Sequence, residues 1–308
     1  MLERMLGEVP AGCRRRLVAH YGPQAQAWLD DVPDLLERAA KRWKLTLDGY
    51  HDAGHASIIA MAVTFDGRPL LLKAWPDPAR YRHEVGALQL WSGGPTAAVV
   101  ESADDLAVAA LELVGSRPGG GAQPQRELQM VAVALQGLHT LGRRRGRLNR
   151  FPLLADHLQL EVLPRIRRRA RELDLGSWRL LVDVVLPTLD GLQQDTDRLT
   201  VLHADLYREN IPFDHRGHPR LIDPLPMLGD AVFDWAFWTV YYDLGNGTDA
   251  RLSAAARISR IPLPLLAPWC RALALDGFLF YLETRDPRAP RMADVLASLT
   301  SSTSRSGS

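Results

Sequence analysis

Val201-Leu-His-Ala-Asp-Leu-Tyr-Arg-Glu-Asn-Ile211, followed at short range by Leu221-Ile-Asp223, decides how this chain is read. His203, Asp205, Asn210 and Asp223 fall between apolar runs, where side chains that carry chemistry are held by buried backbone. Asp205 precedes Asn210 by five positions, the spacing of the carboxylate and the carboxamide in the H-R-D-x-x-x-x-N loop of phosphoryl transfer. That chemistry asks a protein for positioning and charge stabilisation: a carboxylate to orient a hydroxyl, and oxygen ligands for the cations that bridge the phosphates. Asp205 suits the first task. Asn210 offers a neutral oxygen to Mg²⁺, and Asp223, at the end of a Leu-Ile run read as a short buried strand, offers a charged one. The run Phe213 to Pro219 supplies the turn between them.

Such a site needs, upstream, a strand-borne lysine for the phosphates and an acidic partner on the following helix. Lysine is scarce: only Lys41, Lys44 and Lys73 among 37 basic residues. Lys73 ends Pro69-Leu-Leu-Leu-Lys73, an apolar strand after the turn Asp66-Gly67. Glu84 lies in Tyr81-Arg-His-Glu-Val-Gly-Ala-Leu-Gln-Leu-Trp91, where Val85, Leu88 and Trp91 form a helical stripe. Either residue alone reads as solvated surface; together they read as an ion pair. Tyr50-His-Asp-Ala-Gly-His-Ala-Ser57, ahead of the apolar run Ile58 to Val63, is the candidate phosphate-covering turn, with backbone donors around Ala56 and Ser57. It has Gly54 in the bend and no Gly-x-Gly repeat. The strand pattern of Leu106 to Val114 runs through Glu112-Leu-Val114 into Arg117-Pro-Gly-Gly-Gly121, a composition that suits a hinge whose backbone edge pairs with adenine.

These residues resemble the aminoglycoside phosphotransferases. Glu209-Asn-Ile211, Leu221-Ile-Asp-Pro224 followed by Leu228-Gly-Asp230, and the aromatic stretch ending Tyr241-Tyr-Asp243 are similar to the streptomycin 6-phosphotransferase and hydroxyurea phosphotransferase group. The likeness runs from about Val9 to about Glu283. It implies an α+β, two-lobed, protein-kinase-like fold with a small antiparallel-sheet lobe ahead of a larger, mainly helical lobe, the two sharing one cleft. It also implies ATP with Mg²⁺ and transfer of the γ-phosphate to a hydroxyl of a cationic antibiotic. By the same carry-over Asp205 is the base, Asn210 and Asp223 bind metal, and Lys73, oriented by Glu84, binds phosphate. Ser57, Glu112 and Val114 are then the further nucleotide contacts. His203 is a core residue, and Asp230 and Asp234 are buried carboxylates bracing the catalytic loop. Ala204 stands where the family usually has glycine.

Composition agrees with one cleft between two medium-sized lobes. The chain has 308 residues, of which 46% are hydrophobic, enough for a real core. We expect residues 1–115 to form the first lobe, including leading helices over 9–45, residues 116–300 the second, and 301–308 a disordered tail. Helical patterns recur at Leu128 to Leu141, Leu153 to Leu173, Trp178 to Leu192 and Pro262 to Leu282. A formal charge of +1 gives no global field for nucleic acid. The clusters Arg143–Arg147 and Arg165–Arg171 invite that reading, but the second reads as the solvated face of a helix. No run of about 18 apolar residues predicts a membrane span, and the acidic N-terminus does not suit a secretory signal. Cys13 and Cys270 are too few for a disulfide framework. The expectation is a cytoplasmic monomer.

A cationic acceptor needs converging carboxylates. Glu209 and Asp243 are the candidates nearest the motif by sequence, and Trp235 and Trp238 read as core. An aminoglycoside of the streptomycin type, a cyclic peptide of the capreomycin or viomycin kind, and hydroxyurea all remain open as acceptors. Two other classes stand beside a kinase: a catalytically silent binding protein of the same fold, and a metal-dependent hydrolase using His203, Asp205 and Asp223 as ligands.

Overall fold

Side-chain alternation across one antiparallel sheet arranges the first part of the chain. The computed structural model describes residues 6–52, 54, 56–116, 125–143, 150–192 and 194–301. They fall into two units: the described residues of Met1–Gln123 together with Pro212–Ile222, and those of Pro124–Ile211 together with Asp223–Ser308.

In the first unit α1 (Ala11–Tyr21) and α2 (Ala25–Trp43) precede β1 (Thr46–His51), β2 (Ile58–Val63) and β3 (Pro69–Ala74). Next come α3 (Pro78–Leu90), β4 (Val99–Ala103) and β5 (Val108–Glu112). The strands pair in the order β1-β2-β3-β5-β4, each antiparallel to its neighbour. Ile58, Ala60 and Ala62 of β2, Leu70, Leu72 and Ala74 of β3, and Val108 and Ala110 of β5 share one face. They pack in one core with Leu29, Val32, Leu36 and Ala39, spaced at helical period along α2. Full burial of one such leucine stabilises by about 1.5–3 kcal/mol. The intervening residues Leu71, Ala109 and Leu111 face the other way and pack with Tyr81, Val85 and Leu88 of α3. Lys73 has the parity of Leu71, so the pleat itself delivers it to the α3 side. Asp77 starts α3 by accepting from the Ala79 N–H at 2.8 Å, with Pro78 at the first helical position.

The second unit begins with α4 (Glu127–Gly142). α5 (Leu154–His157) continues through a π turn over Leu158–Val162 into α6 (Leu163–Glu172), and α7 (Arg179–Val185) follows. β6 (Leu199–Leu202) and β7 (Met227–Asp230) form an antiparallel ladder. α8 (Val232–Tyr241), α9 (Thr248–Ser259), α10 (Leu263–Glu283) and α11 (Ala289–Ser301) complete it. Gly142 lets α4 lie against β6, since a Cβ there would collide with Thr200 Oγ1 and the Val201 carbonyl. α8 is buried from Val232 to Val240.

Several expectations change. Leu221-Ile222-Asp223 is not a strand: Leu221 makes one parallel bridge with Thr96, and Asp223 turns to φ 54° ahead of Pro224, a conformation that cannot continue an extended run. The arginines of α6 are not simply solvated. Arg165 and Arg169 pair with Asp276 of α10, and Arg168 and Arg169 with Glu283, because a carboxylate buried as Asp276 is needs a counter-charge. Of the other arginine cluster, residues 144–147 lie outside the described residues, as do hinge positions 117–121 and tail positions 302–308; Ser301 ends α11. α10 is long and apolar enough to cross a membrane by length and composition alone, yet 67% of its apolar window is buried inside the protein, and it packs on α8 and α11.

Candidate active site

The first unit contributes a closed polar group on an apolar face. Lys73 sits in β3 opposite Ile59 and Ala109. Its Nζ donates to Glu84 Oε1 of α3 at 2.6 Å, with Lys73 4% and Glu84 1% exposed. Glu84 Oε2 accepts from Trp75 Nε1 at 2.8 Å, and Lys73 Nζ lies 5.0 Å from the centroid of the Trp75 ring. Both carboxylate oxygens are thereby occupied, and the ammonium is held where α3 meets the sheet. Removing one member of such a buried pair strands the other, at a cost of about 3–5 kcal/mol.

Ser57 is buried at the end of the turn before β2. Gly54 is required there, since a Cβ would run into the Ser57 carbonyl. Glu112 ends β5. Its carboxylate accepts from Arg220 Nη2 at 2.8 Å and from the Ala98 N–H at 3.0 Å, so its side chain fastens Arg220 to the sheet. Val114 is buried at the start of a short 3₁₀ turn.

In the second unit the candidate catalytic segment leaves β6 at Leu202. The buried carboxylate of Asp234, in the first turn of α8, accepts the His203 N–H on Oδ2 and the Ala204 N–H on Oδ1, each at 2.8 Å. His139 Nε2 of α4 lies 2.9 Å from the same Oδ2. His203 is itself fully buried. This two-oxygen clamp fixes a peptide in which Ala204 has φ 59°, a left-handed turn that costs a non-glycine residue about 1–2 kcal/mol. Asp205 follows this turn and is half-buried. Asn210 Nδ2 donates to Asp205 Oδ2 at 2.8 Å and to its carbonyl at 2.9 Å. The segment after Asp223 is tied to this one by the Leu225 N–H, which donates to the His203 carbonyl at 2.8 Å. Asp230, also fully buried, accepts from Arg198, from the Asp195 N–H and from the Val232 N–H. It joins a preceding turn to the start of α8, where the helix dipole favours an anion.

Glu209 is exposed. Asp243, half-buried just after α8, accepts from Asn246 Nδ2 at 2.9 Å and stands 3.7 Å from Arg208 Nη1. Arg208 also donates to Glu127 Oε2 at 2.9 Å, and Tyr242 Oη donates to Glu127 Oε1 at 2.6 Å. The candidate catalytic segment is thus moored to α4 through a carboxylate that sequence reasoning passed over. Tyr207 packs edge-on against Phe237 and Tyr241, and burial pushes its phenol well above the usual range. Trp75, His139 and Arg198 were missed too. Trp75 shares the parity of Lys73, and His139 is a polar residue in the apolar stripe of α4; those were the available signals.

Asn210 and Asp223 are hard oxygen donors, both half-buried. Asp205 takes the Asn210 amide nitrogen, so the amide oxygen is the atom that Asn210 would offer a cation. One carboxylate and one amide oxygen, completed by phosphate and water, fit Mg²⁺. The hydrolase alternative needs His203, Asp205 and Asp223 gathered as ligands. Among the described residues no three His, Cys, Asp or Glu side chains come together in that way.

An antiparallel sheet bearing a Lys–Glu pair, and a helical unit carrying an Asp-x-x-x-x-Asn loop braced by a buried Asp, define the protein-kinase-like class of phosphotransferases. The aminoglycoside/hydroxyurea antibiotic resistance kinase family matches residues 42–261. The chain belongs to that family and is a phosphotransferase enzyme. It is similar to streptomycin 6-kinase of Streptomyces glaucescens, at 27% identity over 94% of this chain and 97% of that one. Hydroxyurea phosphotransferase of Kitasatospora aureofaciens is 24% identical over 74% of this chain and 66% of that one. Among solved structures, a thermostable mutant of aminoglycoside phosphotransferase APH(4)-Ia in complex with ADP and hygromycin B superimposes with TM-score 0.58. That likeness, at 13% identity, covers 88% of this chain and 98% of that one.

Proposed function

We propose that this enzyme transfers the γ-phosphate of ATP to a hydroxyl of a cationic antibiotic, an aminoglycoside of the streptomycin type. The observation that carries the reading is the Asp205–Asn210 hydrogen bond on a loop clamped by Asp234. It presents a fixed, half-buried carboxylate to an incoming hydroxyl. Asp205 orients that hydroxyl and takes its proton as the new oxygen–phosphorus bond forms and the bond from the γ-phosphorus to the β-phosphate oxygen breaks, releasing ADP. Lys73, held by Glu84, carries positive charge to the phosphates. Mg²⁺, held by Asn210 and Asp223, would neutralise charge on the triphosphate. Relatives across most of the chain length that are streptomycin 6-kinases support the choice of acceptor. The carboxylates of Glu209 and Asp243 near the catalytic segment suit a cation.

Hydroxyurea is the second reading, supported by the hydroxyurea phosphotransferase relative. Incubating the protein with Mg·ATP and, separately, streptomycin, capreomycin, viomycin and hydroxyurea decides the matter. Streptomycin-dependent ADP release, with a product heavier by one phosphoryl group, is expected. Phosphorylation of hydroxyurea alone would move the assignment to the second reading. Nucleotide binding without turnover on any compound would contradict both and favour a silent binding protein.

A further inference from the structure

Asn210 and Asp223, the two residues read as metal ligands, stand at the two ends of one hairpin. Asn210 precedes Pro212 by two positions, and Asp223 follows Leu221 by two. The Arg220 N–H donates to the Pro212 carbonyl at 2.8 Å, and Phe213 bridges antiparallel to Pro219, which closes the base of the hairpin. The tip is closed as well. Asp214 Oδ1 accepts the Arg216 and His218 N–H groups at 2.8 and 2.9 Å, and Gly217 takes φ 74°. A hairpin tied at both ends acts as one strut, so where it is fastened decides where the residues just beyond it begin.

Arg220 and Leu221 do the fastening. The Leu221 N–H donates to the Pro95 carbonyl at 2.7 Å, and its carbonyl accepts the Ala97 N–H at 3.1 Å. The Arg220 guanidinium forks, with Nη1 donating to the Gly94 carbonyl at 3.3 Å and Nη2 to Glu112 Oε2 at 2.8 Å. The same Glu112 oxygen accepts the Ala98 N–H, and the Glu112 N–H donates to the Ala98 carbonyl at 2.9 Å, so Glu112 is itself fixed at the end of β5. Beyond Asp223, the Leu225 N–H is held by the His203 carbonyl. Asp223 lies between these two fastened flanks with φ 54°, a conformation that persists only where its surroundings impose it. Mg²⁺ in turn demands near-ideal octahedral geometry of its ligands. We propose that Arg220, held by Glu112, is a positioning residue for the metal site and sets where Asp223 presents its carboxylate. The proposal rests on the kinase reading. The two side chains are 25% and 27% exposed, so their pair contributes little to folding. What its loss would release is the flank of Asp223.

The test measures binding of Mn²⁺, which takes the same hard oxygen donors as Mg²⁺, by electron paramagnetic resonance in the presence of a non-hydrolysable ATP analogue. Adenosine binding without metal is measured beside it, for wild type, Arg220→Gln, Glu112→Gln, the double variant and Arg216→Gln. Arg216 is the control, an exposed arginine at the tip of the same hairpin. Arg220→Gln should weaken Mn²⁺ roughly tenfold, the scale of losing a group that orients a metal ligand, and leave adenosine affinity unchanged. Glu112→Gln, which keeps an oxygen for the Ala98 N–H, should lose less, and it is scored in place of Arg220→Gln if that variant does not fold. The double variant should lose no more than Arg220→Gln, because the two residues act through one contact, and Arg216→Gln should match wild type. Mn²⁺ affinity within twofold of wild type in Arg220→Gln, a parallel loss of adenosine, or losses that add in the double variant overturns the proposal while the kinase reading stands. Wild type that binds no Mn²⁺ with the analogue overturns both.

Discussion

Ala204 and Asp223 flank the residues read as the site, and local backbone preference yields at both. Both hold left-handed backbone, at φ 59° and 54°, where an L side chain is strained and where functional segments concentrate such strain. The clamp by Asp234 maintains the turn at Ala204. Ala204→Gly should relieve that strain while adding backbone entropy to the unfolded chain, for a net change in unfolding free energy within about 1 kcal/mol. Ala204→Val, which crowds a buried left-handed position with a β-branched side chain, should destabilise by more than ~1 kcal/mol. Urea unfolding checks the pair; Val tolerated as well as Gly would show that the turn is not strained. At this scale residue type and spacing pointed to residues that meet in the fold, Lys73 with Glu84 and Asp205 with Asn210. The sequence was silent where a partner arrives from far along the chain. Nothing local to Glu84 announces that Trp75 will occupy its second oxygen, and nothing near Asp230 announces Arg198.

Elements position these residues through contacts between, rather than within, secondary structures. The Lys73 side of β3 follows from period-2 alternation once the strand is placed, but the run Leu70 to Leu72, apolar throughout, did not announce it. The strand expected at Leu221–Asp223 failed because two apolar residues do not outweigh a left-handed turn and a following proline. α4 holds the candidate catalytic segment twice, through His139 to Asp234 and through Glu127 to Arg208. Its apolar stripe announced a helix but not those two anchors. His139→Ala removes one partner of a fully buried carboxylate and should cost about 1–3 kcal/mol of stability. A loss under ~0.5 kcal/mol, the range of an ordinary surface change, would show that the two backbone N–H groups suffice to hold Asp234. Lower turnover in the folded variant would show that the contact serves the loop as well as the core.

For the whole molecule, the division into a sheet unit and a helical unit was readable from where strand patterns give way to helical ones. The membership of Pro212–Ile222 in the first unit was not. Those residues follow the candidate catalytic segment directly, and they join the sheet unit through the Leu221 N–H to the Pro95 carbonyl at 2.7 Å and through Arg220 to Glu112, pairings more than 100 residues apart that no local pattern encodes. The same long-range logic applies to α6 and α10, whose charged side chains read as surface in sequence and meet as a partly buried network. Across both units the account makes one central claim, that Asp205 is the group that handles the acceptor's proton while other residues hold the nucleotide. The measurement that tests it most directly is single-turnover phosphate transfer by Asp205→Ala alongside its affinity for a non-hydrolysable ATP analogue. We predict a fall in rate on the order of 10²–10⁴ with nucleotide affinity retained; turnover near that of the wild type would contradict the mechanism.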